Sequence, residues 1–399
     1  TNLNAQNSLY KNLGNGAFKK ITSGNIVEDI GEFRNCAWID ADNDGHLDIY
    51  LANLSGRNIL YINDGTNHFY KSGVDAVGSA NDVTYGIGWC DFDNDGDLDL
   101  YLANREADKL YEQRGNQLFE LVPENRMPMN SGVAVGCSWG DYDNDGWMDL
   151  FVANADKENI LYRNMGNGSF SKVLPQGIAT DVGVSKGSSW SDFDLDGDLD
   201  LFVANNGSHF FYKNEQNGAF TPDAVKEFVS LAGNSLAVAW GDKDSDGDVD
   251  LILASYDLQT LYYENQNVGG NWLKVKCVGT MDLKDINVTN KSNRSAVGAK
   301  IRVRTTSGGQ VLWQTREIST QTGHGAQSSL VQHFGVGEAS IVDSLIVYWP
   351  SGKVQSLSGV GVNRRITVLE TGSTAVDDKR NDALSLTFSL DENYPNPFN

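Results

Sequence analysis

The sequence predicts an all-β chain in two unlike parts, and three observations carry that prediction. An acidic loop recurs at near-constant spacing: WIDADNDGHLD begins at Trp38, WCDFDNDGDLD at Trp89, WGDYDNDGWMD at Trp139, WSDFDLDGDLD at Trp190 and WGDKDSDGDVD at Trp240. The intervals are 51, 50, 51 and 50 residues. Two further markers keep step with it: a Leu-Tyr or Phe-Tyr pair (9–10, 60–61, 110–111, 161–162, 211–212, 261–262), and GNGAF (14–18), GNGSF (166–170) and QNGAF (216–220), with looser echoes at 65–69 and 115–119. After about 270 the repeat stops and a different set of alternating apolar segments begins.

Within one repeat, a small and apolar segment such as VAVGCSW (133–139) precedes the acidic loop, and an apolar run such as DLFVAN (149–154) follows it. An LYxN segment and an aromatic one come next, joined by Asn-Gly, a strong short hairpin signal. Each repeat thus supplies about four short strands and no stretch of helical period. At this repeat length, that is a β-propeller blade. Residues 1–20 carry only the second half of a blade, four full blades follow at 21–70, 71–120, 121–171 and 172–221, and the last at 222–265 has an unclear outer strand. Six blades are visible at least in part, and seven are expected when complete. The chain starts at Thr1 without Met or signal peptide, which reads as a mature or truncated form.

Numbered from its first Asp, each loop has carboxylates at positions 1, 3, 5 and 9 and Gly at position 6. These are Asp40, Asp42, Asp44 and Asp48; Asp91, Asp93, Asp95 and Asp99; Asp141, Asp143, Asp145 and Asp149; Asp192, Asp194, Asp196 and Asp200; and Asp242, Asp244, Asp246 and Asp250. Position 7 (His46, Asp97, Trp147, Asp198, Asp248) is expected to offer its backbone carbonyl, leaving the Asp97 side chain free. Position 8 is always apolar (Leu47, Leu98, Met148, Leu199, Val249) and should plug the loop into the core. Closely spaced oxygens around a tight turn suit a hard cation, and six to eight of them suit Ca²⁺. Mg²⁺, which keeps several waters, fits less well. An EF-hand needs Glu at position 12, where this chain has Leu51, Leu102, Val152, Phe202 and Leu253. About five Ca²⁺ ions are expected, one per complete loop, with affinities of about 10⁻⁵ to 10⁻³ M, useful where calcium is plentiful.

Charge agrees with this. The formal net charge is −22, but residues 1–270 hold 17 Lys/Arg against 42 Asp/Glu, whereas 271–370 hold 12 against 6. The acidic part argues against nucleic acid, and the mildly basic part reads as ordinary solvated surface. No apolar run is long enough to span a membrane. Cys36, Cys90, Cys137 and Cys277 form no CxxC or Cys/His cluster; Cys36 and Cys137, each two residues before a Trp, read as small buried hydrophobes.

D-x-D-x-D-G-x-x-D loops on propeller blades resemble the FG-GAP/VCBS repeats of integrin α-subunit heads and of many bacterial secreted proteins, and the resemblance implies calcium ligation in all five. In the second part, NWLKVKCVGT, GAKIRVRTT, QVLWQTREI, SLVQHFGVG, DSLIVYWPSGKVQSL and RRITVLE read as strands of a small β-sandwich. NWLKVK, GAKIRV, HFGVG and VDSLIVYWPSGK resemble the ASPIC/UnbV domain of cartilage acidic protein-like chains, with a departure at GHG (323–325), where an aromatic residue would be expected in place of His324. The predicted division is propeller 1–268, sandwich 269–370, and polar linker plus tail 371–399. The tail FSLDENYPNPFN (388–399) resembles the start of a bacterial type IX secretion sorting domain, implying recognition by export machinery and a secreted or cell-surface location.

The five histidines fall in no recognisable catalytic set. His46 sits in a loop, His68 and His209 read as surface residues beside outer strands, and His324 and His333 lie in the sandwich without a nucleophile motif. GxSxG, HExxH and a P-loop are absent. The chain reads as an adhesion or ligand-binding module, binding an extracellular protein or a glycan. The alternative is a calcium-dependent polysaccharide lyase with its base on a loop.

Overall fold

A computed structural model describes residues 3–377, except 15, 67, 74–76, 78–81, 116, 129, 131, 174–177, 179–182, 216–217, 223–232, 257–258, 267–268, 282–290 and 373. The turn residues Asn15, Gln216 and Asn217, part of the 265–270 joint, and the sorting-signal resemblance at 388–399 fall outside the described residues.

The acidic repeats fold as blades. Blade 1 pairs Ile30–Ile39, Asp48–Asn53, Ile59–Asn63 and Phe69–Lys71 in antiparallel order. Blade 2 uses Thr84–Cys90, Asp99–Asn104, Lys109–Gln113 and Phe119–Leu121, and blade 3 uses Ala134–Gly140, Asp149–Asn154, Ile160–Asn164 and Phe170–Val173. Blade 4 has Val184–Ser191, Asp200–Gly207, Phe210–Asn214 and Phe220–Pro222; blade 5 has Gly233–Gly241, Asp250–Ser255 and Leu261–Tyr263. Leu9–Gly14 and Ala17–Ile21 form a separate hairpin, the half-blade read from the first 20 residues. A single turn of helix, Asn25–Glu28, precedes blade 1.

The apolar clusters lie between adjacent blades. One cluster joins Tyr50 and Leu60 of blade 1 to Trp89 and Leu100 of blade 2, and others join blades 2 and 3, 3 and 4, and 4 and 5. Aromatic residues at loop position 2 stack on the Trp of the following blade: Phe92 on Trp139 at 6.4 Å and Tyr142 on Trp190 at 6.2 Å. The innermost strands nest closely. A Cβ on Gly136 would lie 2.2 Å from the Lys186 carbonyl oxygen, so only glycine fits there. Cys137 is buried against Gly88 of the preceding blade, as expected for a small hydrophobe, but Cys36 is exposed.

The second part is a two-sheet sandwich. Gln332–Gly337, Asn271–Val278, Arg364–Leu369 and Thr374–Asp377 form one sheet; Gln310–Glu317, Lys300–Ser307, Ile341–Tyr348 and Val354–Gly361 form the other. Leu273, Ile301, Phe334, Leu345 and Ile366 fill the space between them. Thr374–Asp377 belongs to the stretch read as linker. An edge strand needs only backbone pairing, which polar composition does not reveal.

The loop between Glu317 and Leu330 leaves the sandwich and enters the middle of the propeller, where it meets the innermost strands of blades 1 to 5. Thr320 Oγ1 donates to the Trp38 carbonyl, and Gln321 Nε2 to that of Trp89 at 3.3 Å. Gly323 bridges to Cys137, Thr322 Oγ1 donates to Ser188 O at 3.2 Å, and Ser329 N donates to Trp240 O at 3.2 Å. His324, which departs from the expected aromatic, is buried there with Nδ1 donating to Val135 O at 3.1 Å.

Candidate metal centre

Each acidic loop is closed by its own backbone. Gly45, Gly96, Gly146, Gly197 and Gly247 hold φ between 90° and 110°, a left-handed turn that glycine adopts without strain. Their amides donate to Oδ2 of the position-1 aspartate, at 3.1 Å for Asp40, 3.2 Å for Asp91, 3.0 Å for Asp141, 3.1 Å for Asp192 and 2.9 Å for Asp242. Position 9 ties loop to sheet. In blade 3, Asp149 Oδ1 accepts from Asn164 N at 2.7 Å and Oδ2 from Tyr142 N at 3.3 Å, and Asp48, Asp99, Asp200 and Asp250 repeat both bonds. Leu47, Leu98, Met148, Leu199 and Val249 are all buried, as the alternation predicts.

These turns gather carboxylates. Asp40, Asp42 and Asp44; Asp91, Asp93 and Asp99; Asp141, Asp143 and Asp149; Asp192, Asp194 and Asp200; and Asp242, Asp244 and Asp246 each bring three ligand atoms within 4.8 Å of one another. Each group could hold a metal ion. Position-5 residues Asp95, Asp145 and Asp196 instead cap the amide of position 7, as Asp44 and Asp246 also do.

Two properties say what the groups lack. Asp42, Asp93, Asp141, Asp143, Asp192 and Asp194 each have a buried Oδ1 with no hydrogen-bond partner, all at positions 1 and 3. Buried polar atoms are normally paired, so six orphaned oxygens at repeated positions mark room for a ligand of opposite charge. Burial, reinforced by neighbouring aspartates, pushes Asp40 and Asp192 up to about 8 and Asp93 and Asp141 up to about 7. Burial likewise raises Asp99, Asp149 and Asp200 well above the carboxylate range. A divalent cation would reverse these shifts, and the oxygen-only donor set fits a hard one.

The position-7 side chains are less idle than the sequence implied. Asp97 Oδ1 accepts from Asn43 Nδ2 at 2.5 Å, and Asp198 Oδ1 from Asn144 Nδ2 at 2.7 Å. Asn43 and Asn144 stand at position 4 of the preceding loops in a left-handed conformation, so these bonds lock neighbouring loops together. Trp147 cannot accept in this way. Asp248 follows Leu195 at position 4, which has no amide to give.

Several residues at the loops were not legible as site residues. Arg163 pairs with Asp143 at 2.6 Å and Asp145 at 3.1 Å, and Lys213 with Asp194 at 2.8 Å, both from the third strand of their own blade. The sandwich contributes more. Lys300 pairs with Asp91 at 3.0 Å, Lys274 pairs with Asp242, Gly335 N donates to Asp192 Oδ2 at 2.8 Å, and Asn293 Nδ2 approaches Asp40 Oδ2 at 3.5 Å. Arg302 lies against Gly146, and His333 Nε2 donates to the Gly247 carbonyl at 2.8 Å. The basic sandwich therefore does not present an ordinary solvated surface: Lys274, Lys300 and Arg316 are buried towards the acidic loops. His209 also departs from its reading as a surface residue. It is 1% exposed, and its Nδ1 accepts from Asn205 N at 3.2 Å, the role of Asn58, Asp108 and Asn159 in the other blades.

The FG-GAP-like repeat model matches residues 1–51, 40–102, 91–152, 141–203 and 192–253. The chain belongs to the FG-GAP repeat family. An ASPIC and UnbV match at 289–375 covers most of the sandwich, so this member joins the two, as the sequence resemblance implied. Cartilage acidic protein 1 of Xenopus tropicalis is 31% identical over 107 residues, which is 26% of this chain and only 16% of that relative's length. Among solved structures, an Agrocybe aegerita lectin described as recognising non-reducing terminal N-acetylglucosamine covers 86% of each chain at 12% identity and a TM-score of 0.42. The V. cholerae biofilm matrix protein Bap1 covers 89% of this chain and 63% of its own at 10% identity and a TM-score of 0.34. Likeness at this level carries no argument about function. No helix among the described residues is long and apolar enough to cross a membrane.

Proposed function

We propose that this FG-GAP propeller is a calcium-loaded ligand-binding or adhesion module that works outside the cytosol. The six orphaned buried Oδ1 atoms at positions 1 and 3 carry the metal part of the reading. A geometry repeated in every complete blade, with oxygen donors only, suits Ca²⁺ bound mainly for structure. Export rests on the resemblance of residues 388–399 to a type IX sorting signal. The sandwich lies over the acidic loops and its loop fills the middle of the propeller, so the ligand, a protein or a glycan, would meet the opposite face, formed by connections such as 54–58, 105–108, 155–159 and 206–209.

Calcium titration by thermal melting tests the metal reading, and an unchanged melting temperature in EGTA would refute it. Glycan and protein arrays with and without EGTA test the binding reading. Turnover of acidic polysaccharide in place of binding would replace it with the lyase alternative.

A further inference from the structure

The five loops are alike within the propeller but are met by different chemistry from the sandwich. Loops 1 and 4 receive neutral donors on the position-1 carboxylate, Asn293 Nδ2 at Asp40 and the Gly335 amide at Asp192. Loops 2 and 5 receive an ammonium group, and at loop 2 the buried Glu317 carboxylate stands 3.9 Å from it. The Lys300 ammonium pairs with Asp91 Oδ2 at 3.0 Å and also donates to the Asp91 carbonyl and to Asn94 Oδ1. The Lys274 ammonium pairs with Asp242 Oδ2, with its charge over the Trp272 ring at 4.7 Å. At loop 3, Arg302 lies against Gly146; the buried Arg316 guanidinium stands near Asp192 of loop 4 and Asp141 of loop 3 but donates to Thr315 O and Gln314 Oε1.

Burial separates these two lysines from Arg163 and Lys213, and direct pairing with a loop carboxylate separates them from Arg316, which is equally buried near Asp192 and Asp141. The side chains of Arg163 and Lys213 are 40% and 30% exposed, so a metal entering loop 3 or 4 can displace them into water. The side chains of Lys300 and Lys274 are 7% and 11% exposed, and each springs from a sandwich strand. Neither has room to retreat while the sandwich stays docked.

We infer that Lys300 and Lys274 are built-in counter-ions that make loops 2 and 5 the weak calcium sites of the molecule. The inference rests on the calcium reading of the loops. An ammonium a few ångströms from a divalent ion in a partly buried site repels it strongly. Orienting a ligand carboxylate from outside gains about ten- to a hundredfold in affinity. Repulsion is the larger effect, so the lysines weaken these sites although they hold the carboxylates in place. They also keep loops 2 and 5 neutralised, and the sandwich seated on them, when calcium falls.

The test is a calcium titration of the full chain by isothermal calorimetry, with terbium luminescence as a second readout. The wild type should show two sites at least tenfold weaker than the rest. Lys300→Met and Lys274→Met should each move one site from the weak class to the tight class, and Lys213→Met should change affinity less than threefold. Lys300→Gln and Lys274→Gln keep a donor without the charge and should act in the same direction. Small-angle scattering in calcium should show every variant as compact as the wild type. Five equal sites in the wild type, or a site that weakens or stays unchanged on removing its lysine, would overturn the inference. Absence of any calcium binding would instead refute the calcium reading itself. If a Met variant fails to fold, the Gln variants and the class structure of the wild type still decide.

Discussion

One side chain breaks a pattern that the other blades keep, and replacing it should stabilise the protein. Asn63, Asn164 and Asn214 end the third strand of their blades and Asn265 follows it by two residues, and each places its amide nitrogen on a carbonyl of an acidic loop. Asn164 Nδ2 donates to Met148 O at 3.2 Å in its own loop and to Phe92 O at 2.8 Å in the preceding one. Asn214 does the same to Leu199 O and Tyr142 O, Asn265 reaches Phe193 O, and Asn63 reaches Leu47 O. Blade 2 has Gln113 here. Its backbone amide keeps the shared bond to Asp99 Oδ1 at 2.9 Å, but Nε2 and Oε1 are buried without partners.

The extra methylene carries the amide past both carbonyls. An unpaired buried amide costs about 1–3 kcal/mol, and Gln113→Asn should recover that while losing about 1 kcal/mol for the deleted methylene. The expected net gain is up to about 2 kcal/mol. The reverse change, Asn164→Gln, breaks a clasp between two blades and should cost about 2–4 kcal/mol. Guanidinium unfolding in excess calcium, followed by tryptophan fluorescence, reads both as opposite shifts of the midpoint. A lowered midpoint for Gln113→Asn, or an unchanged one for Asn164→Gln, would refute the reasoning.

Gly136→Ala should be strongly destabilising, because its Cβ would sit 2.2 Å from the Lys186 carbonyl; Gly241→Ala, with no atom within 4 Å, should be within about 0.5 kcal/mol of wild type in the same assay. Burial lowers His209 from 6.5 to about 4, so its neutral form is the one the fold holds. Its contribution is present above pH 6.5 and lost as pH falls towards 4, by at most about 3 kcal/mol. His209→Asn, which copies blades 1 and 3, should flatten stability against pH in that window, and an unchanged slope would exclude the histidine as its source. Asp149→Asn removes a carboxylate that could ligate the loop-3 metal but keeps an acceptor for Asn164 N, so calorimetry should count one calcium fewer.

The blades and their acidic loops were legible because everything that defines them is contiguous. Asp91 to Asp99 carries its turn glycine, its buried Leu98 and its clustered carboxylates within nine residues, and the strands on either side announce themselves by apolar runs. Repetition then separated signal from accident. His209 was misread because its burial depends on Asn205 and Ser235, and the latter lies in the next blade. Cys36 and Cys137 look alike in sequence, yet the fold leaves the first exposed and buries the second.

By itself the sequence determined the repeat, the blade, the oxygen-rich loop and the strands of the sandwich, since each follows from local spacing and short-range backbone preference. Tertiary structure alone decided where the sandwich sits, that residues 318–329 fill the middle of the propeller, and which loop receives Lys300, Lys274, Asn293 or the Gly335 amide. Those partners lie from about 30 to 250 residues away from the carboxylates they meet. No local pattern encodes such a pairing. It arises when a basic face and five acidic loops come together and bury their charges against each other.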